Sequence, residues 1–199
     1  MVSINEKLKR AVVGIAGLGG LGSAAAVALT RAGVGRLIIA DFDRVDSSNL
    51  TRQQYFIDQI GKGKVDAMME NLRRINSDVK VEGHGEKLNA DNIPNIFSGA
   101  DVIAECFDKA QEKQMLVETV LGKMTRPIVV TVSGLAGYGN SNAIQTKRIS
   151  ARLILVGDGE TSIESGPVEK RILTAARVGI AACHQANAII QVLLDEIKK

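Results

Sequence analysis

Short apolar runs alternate with stretches whose apolar residues recur at helical spacing, which predicts a layered α/β chain. Val12, Val13, Gly14, Ile15 and Ala16 form a continuous apolar run of strand length. It is followed by a predicted helix over residues 21–32, where Ala24, Ala25, Ala26 and Ala28 permit close packing on a sheet. Gly33 and Gly35 then supply a helix stop. Residues 37–40 read as the next buried strand. From Lys64 to Ile75, the residues Val65, Met68, Met69, Leu72 and Ile75 mark one apolar helical face. Further strands are predicted at 79–82, 102–106, 128–132 and 153–156. A helix is predicted over 111–124, ended by Arg126-Pro127, and another over 174–198. The order β-α-β-α-β-β-α-β-β-α with apolar strands predicts an α/β, doubly wound, mostly parallel sheet. In such sheets ligands bind outside the carboxyl ends of the strands.

Composition narrows this picture. With 199 residues, 45% hydrophobic and 24% charged, the chain is expected to fold as one domain over 1–199. No apolar run reads as a membrane span and residues 1–10 lack signal-peptide character, so a cytoplasmic protein without membrane association is expected. The net charge of +3, with 3% aromatics and no Trp, suits a phosphate ligand better than a nucleic-acid stripe, and makes a nucleic-acid partner unlikely. Two cysteines, Cys106 and Cys183, cannot form a four-thiolate zinc site. No zinc is expected, nor a disulfide framework.

Gly17-Leu18-Gly19-Gly20-Leu21-Gly22 follows the first strand and opens the first predicted helix. In that context Gly17 permits the tight turn, Gly19 and Gly20 let backbone approach a ligand, and Gly22 lets the helix pack on the strand. This is a Rossmann-like nucleotide-binding half. Asp41, at the end of the next strand, can accept hydrogen bonds from ribose hydroxyls. The loop does not say which nucleotide. The stretch Asp41-Phe42-Asp43-Arg44-Val45-Asp46-Ser47-Ser48-Asn49-Leu50-Thr51-Arg52-Gln53 is denser in polar groups than a dinucleotide site needs and points to a triphosphate. Arg52 offers a planar charged fork to phosphate, and Asn49 can hydrogen-bond a phosphoryl oxygen without adding charge. Lys64 places an ammonium at a helix start.

These motifs resemble the ubiquitin-activating-type adenylating enzymes, the family of MoeB, ThiF and HesA. The resemblance rests on Gly17 to Gly22, on Asp41 to Gln53, on Gly61-Lys62-Gly63-Lys64, and on Cys106-Phe107-Asp108, and it covers nearly the whole chain. Residues 137–142 and His184-Gln185-Ala186-Asn187 look most like the short ThiF subgroup of thiamine-thiazole synthesis. The resemblance implies that the C-terminal carboxylate of a small ThiS-like carrier ending in Gly-Gly attacks the α-phosphate of ATP, releasing pyrophosphate. It implies catalytic roles for Arg52, Lys64 and Asp108, with a magnesium ion held by Asp108. It also implies nucleotide contacts from Gly17, Gly19, Gly20, Gly22, Asp41, Asp43, Asn49, Gln53 and both cations. Asp43 is expected to support its loop more than to touch ligand. A homodimer, with Arg10 a candidate to reach across it, and a separate sulfur donor are further implications.

The zinc-binding CxxC pairs of longer members are absent here. Cys183 lies in an apolar helix and is expected to be buried, as is Cys106. His84 is expected in a loop, His184 on a helix surface, and residues 160–167 in a mobile loop. Three other readings remain open. A nicotinamide-dependent oxidoreductase explains the glycine loop and Asp41 but gives Asn49, Arg52 and Lys64 no task. A silent scaffold would be expected to lose the phosphate arginine or the magnesium aspartate. Activation of another carboxylate, on a MoaD-like carrier, a small molecule or an RNA, would use the same chemistry.

Overall fold

The computed structural model describes residues 3–162 and 171–195. Its strands are β1 (Val12–Ala16), β2 (Arg36–Ala40), β3 (Lys80–His84), β4 (Val102–Glu105), β5 (Ile128–Val132), β6 (Gln145–Ser150) and β7 (Leu153–Gly157). Its helices are α1 (Ile4–Arg10), α2 (Gly20–Arg31), α3 (Lys64–Ile75), α4 (Ile93–Ile96), α5 (Ala110–Lys123) and α6 (Ala175–Asp195). The strands form one sheet of order β3-β2-β1-β4-β5-β7-β6, parallel throughout except for the antiparallel edge pair β6 and β7. The doubly wound, mostly parallel expectation therefore holds. The order reverses at β1, which pairs with β2 on one side and β4 on the other. That places the topological switch point, and the crevice above it, between β1 and β4.

Strand alternation divides the core between the two faces of the sheet. Val13, Ile15, Leu37 and Ile39 share one buried cluster with Leu29 of α2, Leu72 of α3 and Ile189 of α6. Ile38, Ile103 and Val129 share the other with Ile93 of α4, Leu116 and Val120 of α5, and Phe97. A sheet buried on both faces explains why its strands read as unbroken apolar runs.

Three elements lie outside the predicted list. Helix α1 is set by a capping box between Ser3 and Glu6, too short to show an apolar period. Helix α4 has only four residues. Strand β6 is exposed along its length, so it carries no apolar signal, and the β7 ladder defines it. His84, expected in a loop, ends β3 and lies 3.0 Å from Glu82. The end of the predicted last helix and most of the predicted loop at 160–167 fall outside the described residues. By length and composition α6 could cross a bilayer, which the search for apolar runs did not anticipate. In the fold it packs on α2 and on β4, β5 and β7.

One polar side chain fixes α6 to the sheet. Gln185, fully buried, donates from Nε2 to the carbonyls of Glu105 (3.0 Å) and Val130 (2.8 Å), and its Oε1 accepts from Cys106 Sγ. Burial, then the nearby Glu105 charge, pushes the Cys106 thiol pKa up, so it stays protonated as a donor. Gln185→Leu should lower unfolding free energy by about 2–3 kcal/mol, because an apolar side chain leaves buried polar partners unmatched. Urea unfolding checks this, and an unchanged midpoint refutes the tie.

Candidate active site

The loops at the carboxyl ends of β1, β2, β4, β5 and β7 enclose a cavity of about 570 Å³. Every sequence-predicted site residue except Gly22 lines it: Gly17, Gly19, Gly20, Asp41, Asp43, Asn49, Arg52, Gln53, Lys64 and Asp108. Gly22 lies behind the loop. A Cβ there would come within 1.9 Å of the Gly17 carbonyl oxygen, so this glycine serves helix-to-strand packing. Gly17 has a φ of 92°, which an L side chain rarely adopts.

Asp41 holds this turn as well as facing the cavity. Its Oδ2 accepts the Leu18 N–H at 2.6 Å and its Oδ1 accepts the Asp43 N–H at 2.8 Å. From the other side, the buried Tyr55 hydroxyl donates to the Leu18 carbonyl at 2.8 Å. Burial, and then the charges of Asp41 and Asp43, push the Tyr55 pKa far up, so the hydroxyl remains a donor. Sequence reasoning passed over Tyr55. Its place just past Arg52-Gln53 was the only signal.

The cations are held in different ways. Lys64 is 5% exposed and its Nζ lies 2.9 Å from Asp43 Oδ2, while its backbone N–H donates to the Asp43 carbonyl. Asp43 is the partner that orients Lys64, and it also lines the cavity. Arg52 has no carboxylate partner among the described residues. Its Nη1 donates to the Ser48 carbonyl and to Thr51 Oγ1, and its stem lies against Gly20. The turn carrying it is capped by Asp46, whose carboxyl the Ser48 hydrogen bonds hold below the usual range. Asn49 Oδ1 accepts the Asp46 N–H, leaving its amide N–H groups for a ligand. Gln53 is buried and its Oε1 has no hydrogen-bond partner among the described residues.

Asp108 is exposed at the rim, on the loop after β4. Below it Glu105, with 0% exposure, accepts from the Phe107 N–H (2.7 Å), Thr131 Oγ1 (2.5 Å) and Lys113 Nζ (3.0 Å), fixing the start of the Asp108 loop. Lys113 also lines the cavity, and sequence reasoning did not single it out. Lys109 pairs loosely with Glu112 at 3.9 Å. Cys183, expected to be buried, is exposed, because it falls on the side of α6 turned away from the sheet-facing Gln185; it does not line the cavity. His184 Nδ1 lies 3.1 Å from Thr146 Oγ1 on the helix surface, as expected.

Of the second wall, residues 161 and 162 fall in the stretch 160–167 expected as a loop, whereas residues 133–136 carried no sequence signal. The wall consists of residues 133–136 after β5 and residues 161 and 162 after β7. Behind it Arg177 of α6, 3% exposed, donates to Asp158 Oδ2 at 2.6 Å and to the carbonyls of Gly139 and Asn140. Burial raises the pKa of Asp158, but hydrogen bonds from Thr161, Glu160 and Arg177 together outweigh it and hold the carboxyl below its usual range.

With this geometry in view, the model of the ThiF family matches residues 2–199. The chain belongs to the ThiF family. The adenylyltransferase and sulfurtransferase uba4 of Aspergillus niger is 43% identical over 120 residues, covering 59% of this chain and 25% of that protein. Ubiquitin-like modifier-activating enzyme 5 of Xenopus laevis is 31% identical over 169 residues, covering 79% of this chain and 40% of that protein. This ThiF-family chain thus spans less than half the length of either relative. Among solved structures, the E. coli tRNA N6-threonylcarbamoyladenosine dehydratase TcdA in complex with AMP matches with a TM-score of 0.78 at 23% identity, covering 94% of this chain and 89% of that one. E. coli MccB with ATP matches with a TM-score of 0.67 at 25% identity, covering 96% and 57%. The TcdA likeness is one of fold.

Two outcomes follow for this ThiF-family site. Tyr55→Phe should cost about 1 kcal/mol of stability, the worth of one buried hydrogen bond, measured by thermal or urea unfolding. Asp158 has a folded pKa below its ordinary 3.8, so its contribution is complete above that value and fades as pH falls toward the folded one. The stability gap between the wild type and Asp158→Asn should stay constant above about pH 5 and narrow below about pH 4.

Proposed function

We propose that this chain adenylates the C-terminal carboxylate of a small ThiS-like carrier protein with a Gly-Gly end, using ATP and releasing pyrophosphate. One observation carries the reading: a single cavity at the switch point gathers Gly17, Asp41, Asn49, Arg52, Lys64 and Asp108, which lie far apart in sequence. The naming of a 43% identical relative as an adenylyltransferase, and the ATP in the MccB structure, support it.

The chemistry needs positioning and charge neutralisation more than proton transfer. A carboxylate is already a nucleophile near neutral pH, so no general base is required. Asp41 retains lone pairs for ribose hydroxyls beyond its two backbone bonds. Arg52 and Lys64 neutralise phosphate charge, and the Asn49 amide donates to a phosphoryl oxygen.

Magnesium fits the donor set. Among the described residues no three His, Cys, Asp or Glu side chains converge on a metal position, yet magnesium is commonly held by one or two carboxylates together with substrate phosphates and water. Asp108, facing the cavity without a hydrogen bond or ion pair to another described residue, would hold the ion directly or through water. When bound, magnesium neutralises phosphate charge. The acyl adenylate would pass to a separate sulfur donor in thiamine-thiazole synthesis, with the chain acting as a homodimer.

The test is carrier-dependent exchange of labelled pyrophosphate into ATP, with carriers ending in Gly-Gly and truncated controls. Exchange with an intact carrier alone is expected. Exchange with none, despite ATP binding, transfers the reading to a small-molecule or RNA-borne carboxylate. Arg52→Ala, Lys64→Ala and Asp108→Ala should each slow exchange on the order of 100-fold while the protein stays folded. Asp41→Ala should act mainly on ATP affinity, and a pure turnover defect would contradict the ribose assignment. Cys183→Ala should leave exchange intact.

A further inference from the structure

The sheet order arranges the cavity as a line. Asp41 lies at the end of β2, the glycine turn at the end of β1, Asp108 after β4, residues 133–136 after β5, and residues 161 and 162 after β7. If ribose sits at Asp41 and the phosphates extend toward Asp108, the incoming carboxylate reaches them from the β5 and β7 side. The wall it passes is formed by Ser133, Gly134, Leu135, Ala136, Thr161 and Ser162. None of these carries a charge, and Ser133, Gly134 and Thr161 are held by the turn behind them.

The groups behind are Asp158 and Arg177. Asp158 accepts the N–H groups of Glu160 and Thr161 and the Thr161 hydroxyl, which shapes the turn after β7. Its backbone N–H donates to the Gly134 carbonyl, and the Gly159 N–H to the Ser133 carbonyl, which joins that turn to the loop after β5. Gly134 has a φ of 80°, and a Cβ there would fall 2.0 Å from Asp158 Oδ1, so the two loops touch with no space between them. Arg177 clamps the assembly: one nitrogen binds Asp158, and another binds the carbonyls of Gly139 and Asn140 at 3.1 and 3.2 Å. It belongs to α6, which Gln185 anchors to the sheet. The planar fork suits this, since it reaches a carboxylate and two carbonyls at once, as an ammonium on a flexible stem would not.

We infer that Arg177 is a positioning residue for the acyl side of the reaction, holding the loops after β5 and β7 in register so that the substrate carboxylate is aimed at the nucleotide. The inference rests on the adenylation reading above. The Arg177 side chain hydrogen-bonds only to the loops after β5 and β7 among the described residues, and β1, β4 and β5 separate β7 from the β2 end that carries Asp41. Although its neighbour Val178 lies against Gly20 beside the Arg52 stem, the loss of Arg177 should weaken carboxylate engagement more than nucleotide binding.

The test uses the full chain carrying both Arg177→Met and Asp158→Asn. The asparagine keeps an acceptor for the Glu160 and Thr161 N–H groups, and the pair of changes leaves no unpaired buried charge. The KM for the carrier in pyrophosphate exchange should rise on the order of tenfold or more, while the KM for ATP stays within about twofold of the wild type, since misplacement near 1 Å at a reacting group is costly. Backbone amides in residues 134–140 and 158–162 should exchange hydrogen faster, with those of β1 and α2 unchanged. Should the double variant not fold, Arg177→Lys keeps the charge without the fork and should raise the carrier KM while leaving the ATP KM alone. An unchanged carrier KM, or a parallel loss of ATP affinity, overturns the assignment while the adenylation reading stands. Absence of carrier-dependent exchange in the wild type overturns both.

Discussion

The cleft at the carboxyl ends of the strands depends on one close approach. Between β1 and α2 the chain turns so tightly that the Gly17 carbonyl occupies the space a Cβ on residue 22 would take. This contact sets how near α2 lies to the strand, and so where its first turn, with unpaired N–H groups, faces the crevice. The turn is stabilised from both sides by neighbours of Leu18: the Asp41 carboxylate takes its N–H and the Tyr55 hydroxyl its carbonyl. A residue expected to read the ribose is therefore also part of what shapes the loop. A loss of affinity on substituting Asp41 therefore combines a lost ligand contact with a loosened loop, whereas a turnover defect alone would fit neither.

A second constraint is charge in a partly dry cleft. Lys64 is paired with Asp43, Lys113 with Glu105, and Arg177 with Asp158, and each pair holds one loop at the carboxyl end of a strand. Isolated charges could not be buried there, whereas pairs with extra hydrogen bonds can be. The same pairs deliver preorganisation, since the side chains are already oriented before a ligand arrives.

The β1 and β2 side of the cavity was legible because its residues occur in continuous motifs: the glycine turn, the stretch from Asp41 to Gln53, and Lys64 opening a helix whose apolar face is regular. Parallel strands buried on both faces read directly as apolar runs, so the sheet was legible too. What stayed hidden has physical reasons. β6 is exposed and is defined by its partner, β7. Cys183 was assigned to the core on the strength of its apolar neighbours, although a helix as apolar as α6 still turns one side outward. Tyr55, Lys113, Asp158 and Arg177 act through contacts between residues distant in sequence, with no motif to mark them. Arg177 in particular sits in an apolar helix, where only its burial and its three partners show what it holds.

Pairing divides the charged groups of the cavity. Lys64 and Lys113 are each matched by a carboxylate, so their charge is largely cancelled until a ligand competes for it, whereas Lys87 and Lys109 are exposed and share Glu112 at 4.0 and 3.9 Å. Arg52 rests on neutral acceptors, a carbonyl and a hydroxyl, and keeps its full positive charge toward the cavity. Asp108 is its counterpart, a carboxylate at the rim with no cation bound to it among the described residues. A bare polyanion would be drawn by Arg52 and repelled by Asp108. A polyanion that carries a divalent cation would satisfy both at once, and could then compete with Asp43 for Lys64. Arg52 and Asp108 thus present opposite charges to one cavity, and what they can attract is set by where they lie along the sheet rather than by their number.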